Sequence, residues 1–100
     1  MRSQTSTVAA CSLVLLALLG GCGHPASREE CEEIFDRSAE LELRAQNVTD
    51  PKVIAQRTAE ARTARGEELM SRCLGRRITT SALECVRKAN TSDQVDRCLE

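Results

Sequence analysis

The sequence has 100 residues, of which 29% are charged, and Phe35 is its single aromatic residue. With 14 basic and 15 acidic side chains, the formal net charge is −1, which lacks the basic excess typical of nucleic-acid binding. A chain of this length has room for one small domain, and no nucleic-acid partner is expected.

The first 21 residues are typical of an export signal. An apolar run, residues 8–19, follows Arg2 and a polar stretch, and only Ser12 interrupts it. A helix that crosses a bilayer needs about 20 apolar residues, so this run is too short to span a membrane. It is predicted to be the hydrophobic region of a signal peptide, residues 1–21.

The segment LGGC, residues 19–22, resembles the lipobox of bacterial lipoproteins. The resemblance implies that the signal peptide is removed and that diacylglycerol is attached to the thiol of Cys22, with further acylation of the new amino group. Two or more acyl chains anchor a protein stably. Gly23, in place of Asp, implies by resemblance to enterobacterial sorting an outer-membrane location facing the periplasm. The alternative is a plain secretory signal that ends in a chance cysteine.

Residues 22–27, CGHPAS, are predicted to form a short lipidated tether, since Gly23 and Pro25 interrupt any helix. His24 is the only histidine, and it is expected to be a solvated linker residue. Removal of residues 1–21 removes Arg2 as the only charged side chain, which leaves 13 basic and 15 acidic residues. The mature chain is therefore slightly acidic.

A first helix is predicted from Arg28 to about Asn47. It begins after a capping box, in which Ser27 and Glu30 each accept the other's backbone amide. Leu43 lies off the apolar stripe and is expected to be partly exposed. The buried stripe, at spacings near three and four, is predicted to contain Cys31, Ile34, Phe35, Leu41, Ala45 and Val48.

A second helix is predicted from Pro51 to about Leu74, with Asp50 or Thr49 as its N-cap. Gly66 lies in its polar middle and weakens a helix by about 1 kcal/mol relative to Ala, so a break near it is an open alternative. Gly75 is predicted to terminate this helix.

Two short helices are predicted to complete a helical domain, residues 28–100. Capping-box patterns at Ser81 with Glu84 and at Thr91 with Gln94 indicate their starts. Five acid-before-base pairs at a spacing of four residues support the helices by about 0.2–0.5 kcal/mol each. The pairs are Glu33/Arg37, Glu40/Arg44, Glu68/Arg72, Glu84/Lys88 and Asp93/Arg97.

Four cysteines remain once Cys11 and Cys22 are set aside, and in an exported chain they predict two disulfides. Their spacing does not resemble the close pairs of zinc sites, so no metal or cofactor is expected. An antiparallel pair of long helices would bring Cys31 and Cys73 to one end, and Cys85 and Cys98 lie at similar distances from the last turn. We therefore favour the pairing Cys31–Cys73 with Cys85–Cys98, while the other two pairings stay open. The predicted fold is all-α: a small antiparallel bundle of two long and two short C-terminal helices, stapled by two disulfides.

The segment ECVRKANTSDQVDRC, residues 84–98, follows a lipobox and a long helix with an early cysteine. This arrangement resembles the small helical lipoproteins of myxobacteria and their relatives. The resemblance implies an all-helical lipoprotein, and it implies no activity, because none is assigned to that group.

The function expected from the sequence is that of a membrane-anchored structural or protein-binding module of the bacterial envelope. Its expected partners are the membrane, through the lipid anchor, and an envelope protein. The alternative is an enzyme or an enzyme accessory protein of the periplasm, although no catalytic residues are predicted. An apolar groove between the two long helices would favour a binding module, whereas a pocket with converging carboxylates would favour catalysis.

Overall fold

The computed structural model describes residues 22–100, so the predicted signal peptide lies outside the described residues. The elements, in chain order, are β1 (His24–Pro25), α1 (Arg28–Ala45), α2 (Pro51–Cys73), β2 (Arg77–Ile78), α3 (Thr80–Lys88) and α4 (Ser92–Cys98). The predicted all-α bundle of two long and two short helices is confirmed. A two-residue antiparallel ladder between β1 and β2 adds to it.

The start of α1 follows the predicted capping box. Ser27 Oγ accepts the amide of Glu30 at 3.2 Å, and Glu30 Oε1 accepts the amide of Ser27 at 3.0 Å. The helix ends at Ala45, two residues earlier than predicted, and Asn47 adopts a left-handed φ of 67°. Ala45 is exposed, so its place in the buried stripe was wrong: it is the last residue of the helix, directly before the turn.

Asp50 is the N-cap of α2, and its Oδ1 accepts the amide of Lys52 at 2.9 Å. Pro51 occupies the first helical turn, where its missing amide costs nothing. The helix runs without a break through Gly66, so the alternative of a break there is excluded. Gly75, with a φ of 79°, follows the end of α2 as predicted.

The capping box predicted at Ser81 and Glu84 is wrong. Thr79 is the N-cap of α3, and its Oγ1 accepts the amide of Ala82 at 3.0 Å. Because Ile78 is fixed in β2, the extended backbone at Thr79 lets the helix begin immediately after the strand. Ser81 therefore lies inside the helix.

The box predicted at the start of α4 is half formed. Thr91 is the N-cap and accepts the amide of Gln94 at 3.1 Å. The Gln94 side chain accepts from the amide of Asn90 at 2.7 Å, one residue before the position that a capping box uses.

Both favoured disulfides are present. Cys31 is joined to Cys73 with their Cα atoms 5.9 Å apart, and Cys85 is joined to Cys98 at 5.6 Å. The first bond ties the start of α1 to the end of α2, as an antiparallel pair requires. The second ties α3 to α4.

Two clusters of buried side chains form the core around α1, which packs against α2, α3 and α4. Half-buried Ile34 contacts both clusters, and Leu43 is half-buried as predicted. The first cluster consists of Ala26, Cys31, Met70, Ile78 and Leu83. The second consists of Leu41, Val86, Ala89 and Val95.

Two of the five predicted acid–base pairs form ion pairs, Glu40–Arg44 and Glu68–Arg72. Glu33 instead binds Arg87 of α3. An interaction predicted within one helix is therefore made between two.

Candidate functional site

The anchor segment, residues 22–27, lies against the chain that follows α2. His24 stands opposite Ile78, and the amide of Ala26 donates to Arg76 O at 2.7 Å. The amide of Gly75 in turn donates to Ala26 O at 3.0 Å. The segment predicted to be a short tether is thus hydrogen-bonded to the domain close to Cys22.

Small residues are required where the anchor segment meets the domain. Gly23 has a φ of 91°, and a Cβ built there would lie 2.9 Å from Ile78 O. Its carbonyl accepts from Arg77 Nη1 at 2.9 Å, and Ala26 is buried in the first core cluster. The glycine next to Cys22 therefore has a structural role in addition to any role in signal processing.

His24 is exposed, but it is not the purely solvated linker residue predicted. Its Nε2 lies 2.7 Å from Oε2 of Glu30. The pKa of Glu30 is lowered, first by the hydrogen bond from the Ser27 amide and next by the hydrogen bond with His24. Glu30 thus joins β1 to the first turn of α1.

Cys22, the predicted lipid attachment site, is exposed and takes part in neither disulfide. It directly precedes Gly23, whose carbonyl is bonded to Arg77. Any group on the Cys22 sulfur is thus carried one residue from the edge of the folded domain.

An apolar cleft lies beside the anchor segment. It consists of two adjoining hollows of about 350 Å³ each, which share Ile34, Leu69 and Cys73. The first lies between α1 and α2, and the second is bounded by the end of α2, β2, α3 and α4. We define the cleft by its apolar residues Ile34, Phe35, Leu69, Cys73, Ala82 and Leu99.

Arginines dominate the charge at the second hollow. Arg72, Arg76 and Arg77 line it together with one carboxylate side chain, that of Glu100. Arg72 also pairs with Glu68 at 2.8 Å. The cleft therefore combines an apolar floor with a basic rim.

The polar groove between the other edges of α1 and α2 has a volume of about 430 Å³. Its carboxylates are engaged by arginines: Asp36 binds Arg62, and Glu40 binds Arg44 at 3.1 Å. The pKa of Arg62 is raised, chiefly by its hydrogen bond with Asp36. Both pairs have a structural explanation: Asp36–Arg62 joins α1 to α2, and Glu40–Arg44 stabilises α1 itself.

Within residues 22–100, no group of three or more histidine, cysteine or acidic side chains is placed to hold a metal ion. No helix in the same range is at once long and apolar enough to cross a membrane. No family model matches the sequence, and no curated protein or solved structure is significantly similar to it.

Proposed function

We propose that the protein is a lipid-anchored lipoprotein of the bacterial envelope that binds another envelope protein through the first hollow of the cleft, between α1 and α2. The observation that carries the proposal is the row of half-buried apolar side chains, Ile34, Phe35 and Leu69, left uncovered between two helices. An apolar groove of this kind accepts the apolar face of a partner helix. Hollows lined mainly by apolar side chains are typical binding sites.

The anchoring part of the proposal rests on the lipobox resemblance at Cys22 and places the domain in the periplasm, on the outer membrane. Two disulfides support export, because such bonds persist in oxidising compartments. Gly23, which follows Cys22, fits both the sorting to the outer membrane and the packing of the anchor segment.

We propose a binding module and not an enzyme. The cleft is lined mainly by apolar side chains, and its charged rim consists mostly of arginines. The carboxylates of the polar groove are bound to arginines, so they do not form a free acid–base pair. We assign no catalytic residue.

Crosslinking in living cells tests the cleft. A photoreactive amino acid at Leu69 should produce one discrete crosslinked protein. The same amino acid at Ala64, which is exposed on the same helix, should not. Leu69→Asp should reduce co-purification of that protein, while the circular dichroism spectrum stays helical. Equal crosslinking at both positions, or none at Leu69, would contradict the proposal.

Lipid attachment is tested separately. Cys22→Ser should leave an unprocessed precursor that incorporates no labelled palmitate, because the acylated thiol is gone. Palmitate labelling that survives this change would overturn the assignment of Cys22.

A further inference from the structure

We propose that the anchor segment seats the domain directly on the membrane, with the basic end of the molecule against the phosphate groups of the lipids. The basic end is defined here by Leu74, Arg76, Arg77 and Leu99. The inference rests on the proposed lipid attachment at Cys22 and adds an orientation to it.

Only a very short stretch of chain separates the lipid attachment site from the folded domain. Consecutive Cα atoms are about 3.8 Å apart, so Gly23 lies within one such step of Cys22. Gly23 O already accepts from Arg77, and Ala26 is bonded through both its amide and its carbonyl. An acylated Cys22 lies at the depth of the lipid headgroups. The guanidinium of Arg77 is therefore brought to the membrane surface with it.

The surface next to the anchor segment has the composition of a membrane-contacting face. Leu74 and Leu99 are the two large hydrophobic residues that the described part of the chain exposes, at 39% and 40%. Leu74 directly precedes Gly75, which is bonded to Ala26, and Leu99 lines the same hollow as Arg76. Exposed leucines near a lipid anchor can enter the interface between headgroups and acyl chains.

Charge complementarity selects the lipid surface as the occupant. Arg72, Arg76 and Arg77 line this hollow with Glu100 as the one carboxylate side chain, although the mature chain as a whole is slightly acidic. Guanidinium groups bind phosphate through paired hydrogen bonds, and basic clusters are attracted to anionic leaflets. The first hollow of the cleft would then open beside the membrane. A partner helix bound there would also lie close to the membrane.

Tryptophan fluorescence tests the orientation, since the chain contains no tryptophan and no tyrosine. The full lipidated protein is reconstituted into vesicles of phosphatidylethanolamine with a minority of phosphatidylglycerol. Some of the lipids are brominated near the headgroup. Single variants carry Leu74→Trp, Leu99→Trp or, as the control, Lys52→Trp. Lys52 is exposed in the first turn of α2, at the opposite end of that helix.

We expect blue-shifted emission and bromine quenching at positions 74 and 99, at least about threefold stronger than at position 52. Arg76→Glu in the Leu99→Trp background should weaken the quenching roughly twofold, whereas Arg57→Glu, a reversal of an exposed arginine elsewhere on α2, should leave it unchanged. Vesicles of phosphatidylcholine alone should give weaker quenching than the anionic ones.

Equal quenching at the three positions, or none at positions 74 and 99 in protein shown by mass spectrometry to be acylated, overturns the orientation and leaves the lipid anchor intact. Protein without acyl chains overturns the proposed function instead. Crosslinking of position 99 to a protein in cells, in place of lipid quenching, would make the basic end a protein-binding surface and would also overturn the inference.

Discussion

The two halves of α2 are held in place by different interactions. Towards its C-terminus, Met70 is buried in the first core cluster and Cys73 is bonded to Cys31. Towards its N-terminus, Ile54 and Thr58 are buried, and at the middle of the helix the exposed ion pair Arg62–Asp36 supplies a further contact with α1. Covalent and apolar stabilisation is therefore concentrated in the half that adjoins the anchor segment.

This difference has a physical reason. A domain with one aromatic residue has a thin core, and small exported domains commonly compensate with disulfides. Placing the longer crosslink beside the anchor segment makes that end the rigid one. The opposite end of the α1–α2 pair, at the turn between the two helices, can then open locally without disturbing the attachment to the membrane.

Removing one disulfide at a time tests whether the end beside the anchor segment is the more strongly stabilised one. In the chain-entropy model, the bond Cys31–Cys73 closes a separation of 42 residues and contributes about 4 kcal/mol. The bond Cys85–Cys98 closes 13 residues and contributes about 3 kcal/mol. We expect the double variant Cys31→Ser/Cys73→Ser to lower the free energy of unfolding more than Cys85→Ser/Cys98→Ser.

Urea unfolding followed by far-UV circular dichroism measures both losses. Since a small core supplies only about 3–5 kcal/mol, the first variant should be largely unfolded in buffer. The matched control is the second variant. The opposite order of stability would show that the disulfide between α3 and α4 contributes more to the free energy of unfolding than the disulfide beside the anchor segment.

Substitution of Gly23 or Gly75, both close to the anchor segment, should have the next largest effect on stability. Gly23 and Gly75 both have positive φ, but a Cβ at Gly23 would lie 2.9 Å from Ile78 O, whereas one at Gly75 meets nothing within 4 Å. Gly75→Ala should cost about 1 kcal/mol, for the left-handed backbone alone. Gly23→Ala should cost about 2 kcal/mol or more, because the ladder must also shift.

Amide hydrogen exchange at Ala26 and Gly75 reports on this ladder directly. Gly23→Ala should speed exchange at both amides, while Gly75→Ala should leave that of Ala26 largely protected. Equal costs for the two variants would mean that the anchor segment does not press against Ile78.

The helix boundaries and the disulfide pairing were predictable from local chemistry. Ser27 with Glu30, Asp50 with Pro51, and Gly75 each set a helix end through bonds or dihedrals within a few residues. Once these ends were known, the geometry of an antiparallel pair favoured the observed disulfides. Threonine and serine both cap helices, so the choice of Thr79 over Ser81 depended on the strand that precedes it.

The ladder between β1 and β2 and the cleft could not be predicted from local chemistry. A ladder of two residues between segments some fifty positions apart has no periodicity that a sequence pattern can reveal. Apolar spacing placed Phe35 in the buried stripe of α1, next to which Leu69 of α2 lies in the cleft. It did not indicate that α3 and α4 leave these side chains half-uncovered, because coverage depends on how the helices are arranged.

Acid titration tests how much the ionised side chain of Glu30 stabilises the fold at the anchor segment. The pKa of Glu30 is lowered by the Ser27 amide and then by His24, so its ionised form is favoured in the folded state. A carboxyl with a depressed pKa stabilises the fold above its unfolded pKa, and this contribution is lost as pH falls through the folded pKa. Glu30→Gln should therefore be less stable than the unchanged protein near neutral pH, and the difference should shrink in acid.

Thermal unfolding at about pH 7 and about pH 3 measures the effect. The pKa of Glu33 is lowered chiefly by its hydrogen bond with Arg87. Glu33→Gln should therefore show the same dependence of stability on pH, but by weakening the contact with α3 and not the anchor segment. A difference between Glu30→Gln and the unchanged protein that is equal at both pH values would contradict this assignment.

The smallest effect on stability is expected at the middle of α2, at the ion pair of Arg62 with Asp36. The side chains of both residues are about two-fifths exposed, so water and salt screen their attraction. Such pairs contribute about 0–1 kcal/mol. A double-mutant cycle with Arg62→Gln and Asp36→Asn should therefore give a coupling free energy below about 1 kcal/mol, which shrinks further in about 1 M salt. A coupling of about 2 kcal/mol or more that persists in salt would show that α2 is held as firmly at its middle as at its disulfide-bonded end, and the contrast along α2 would fail.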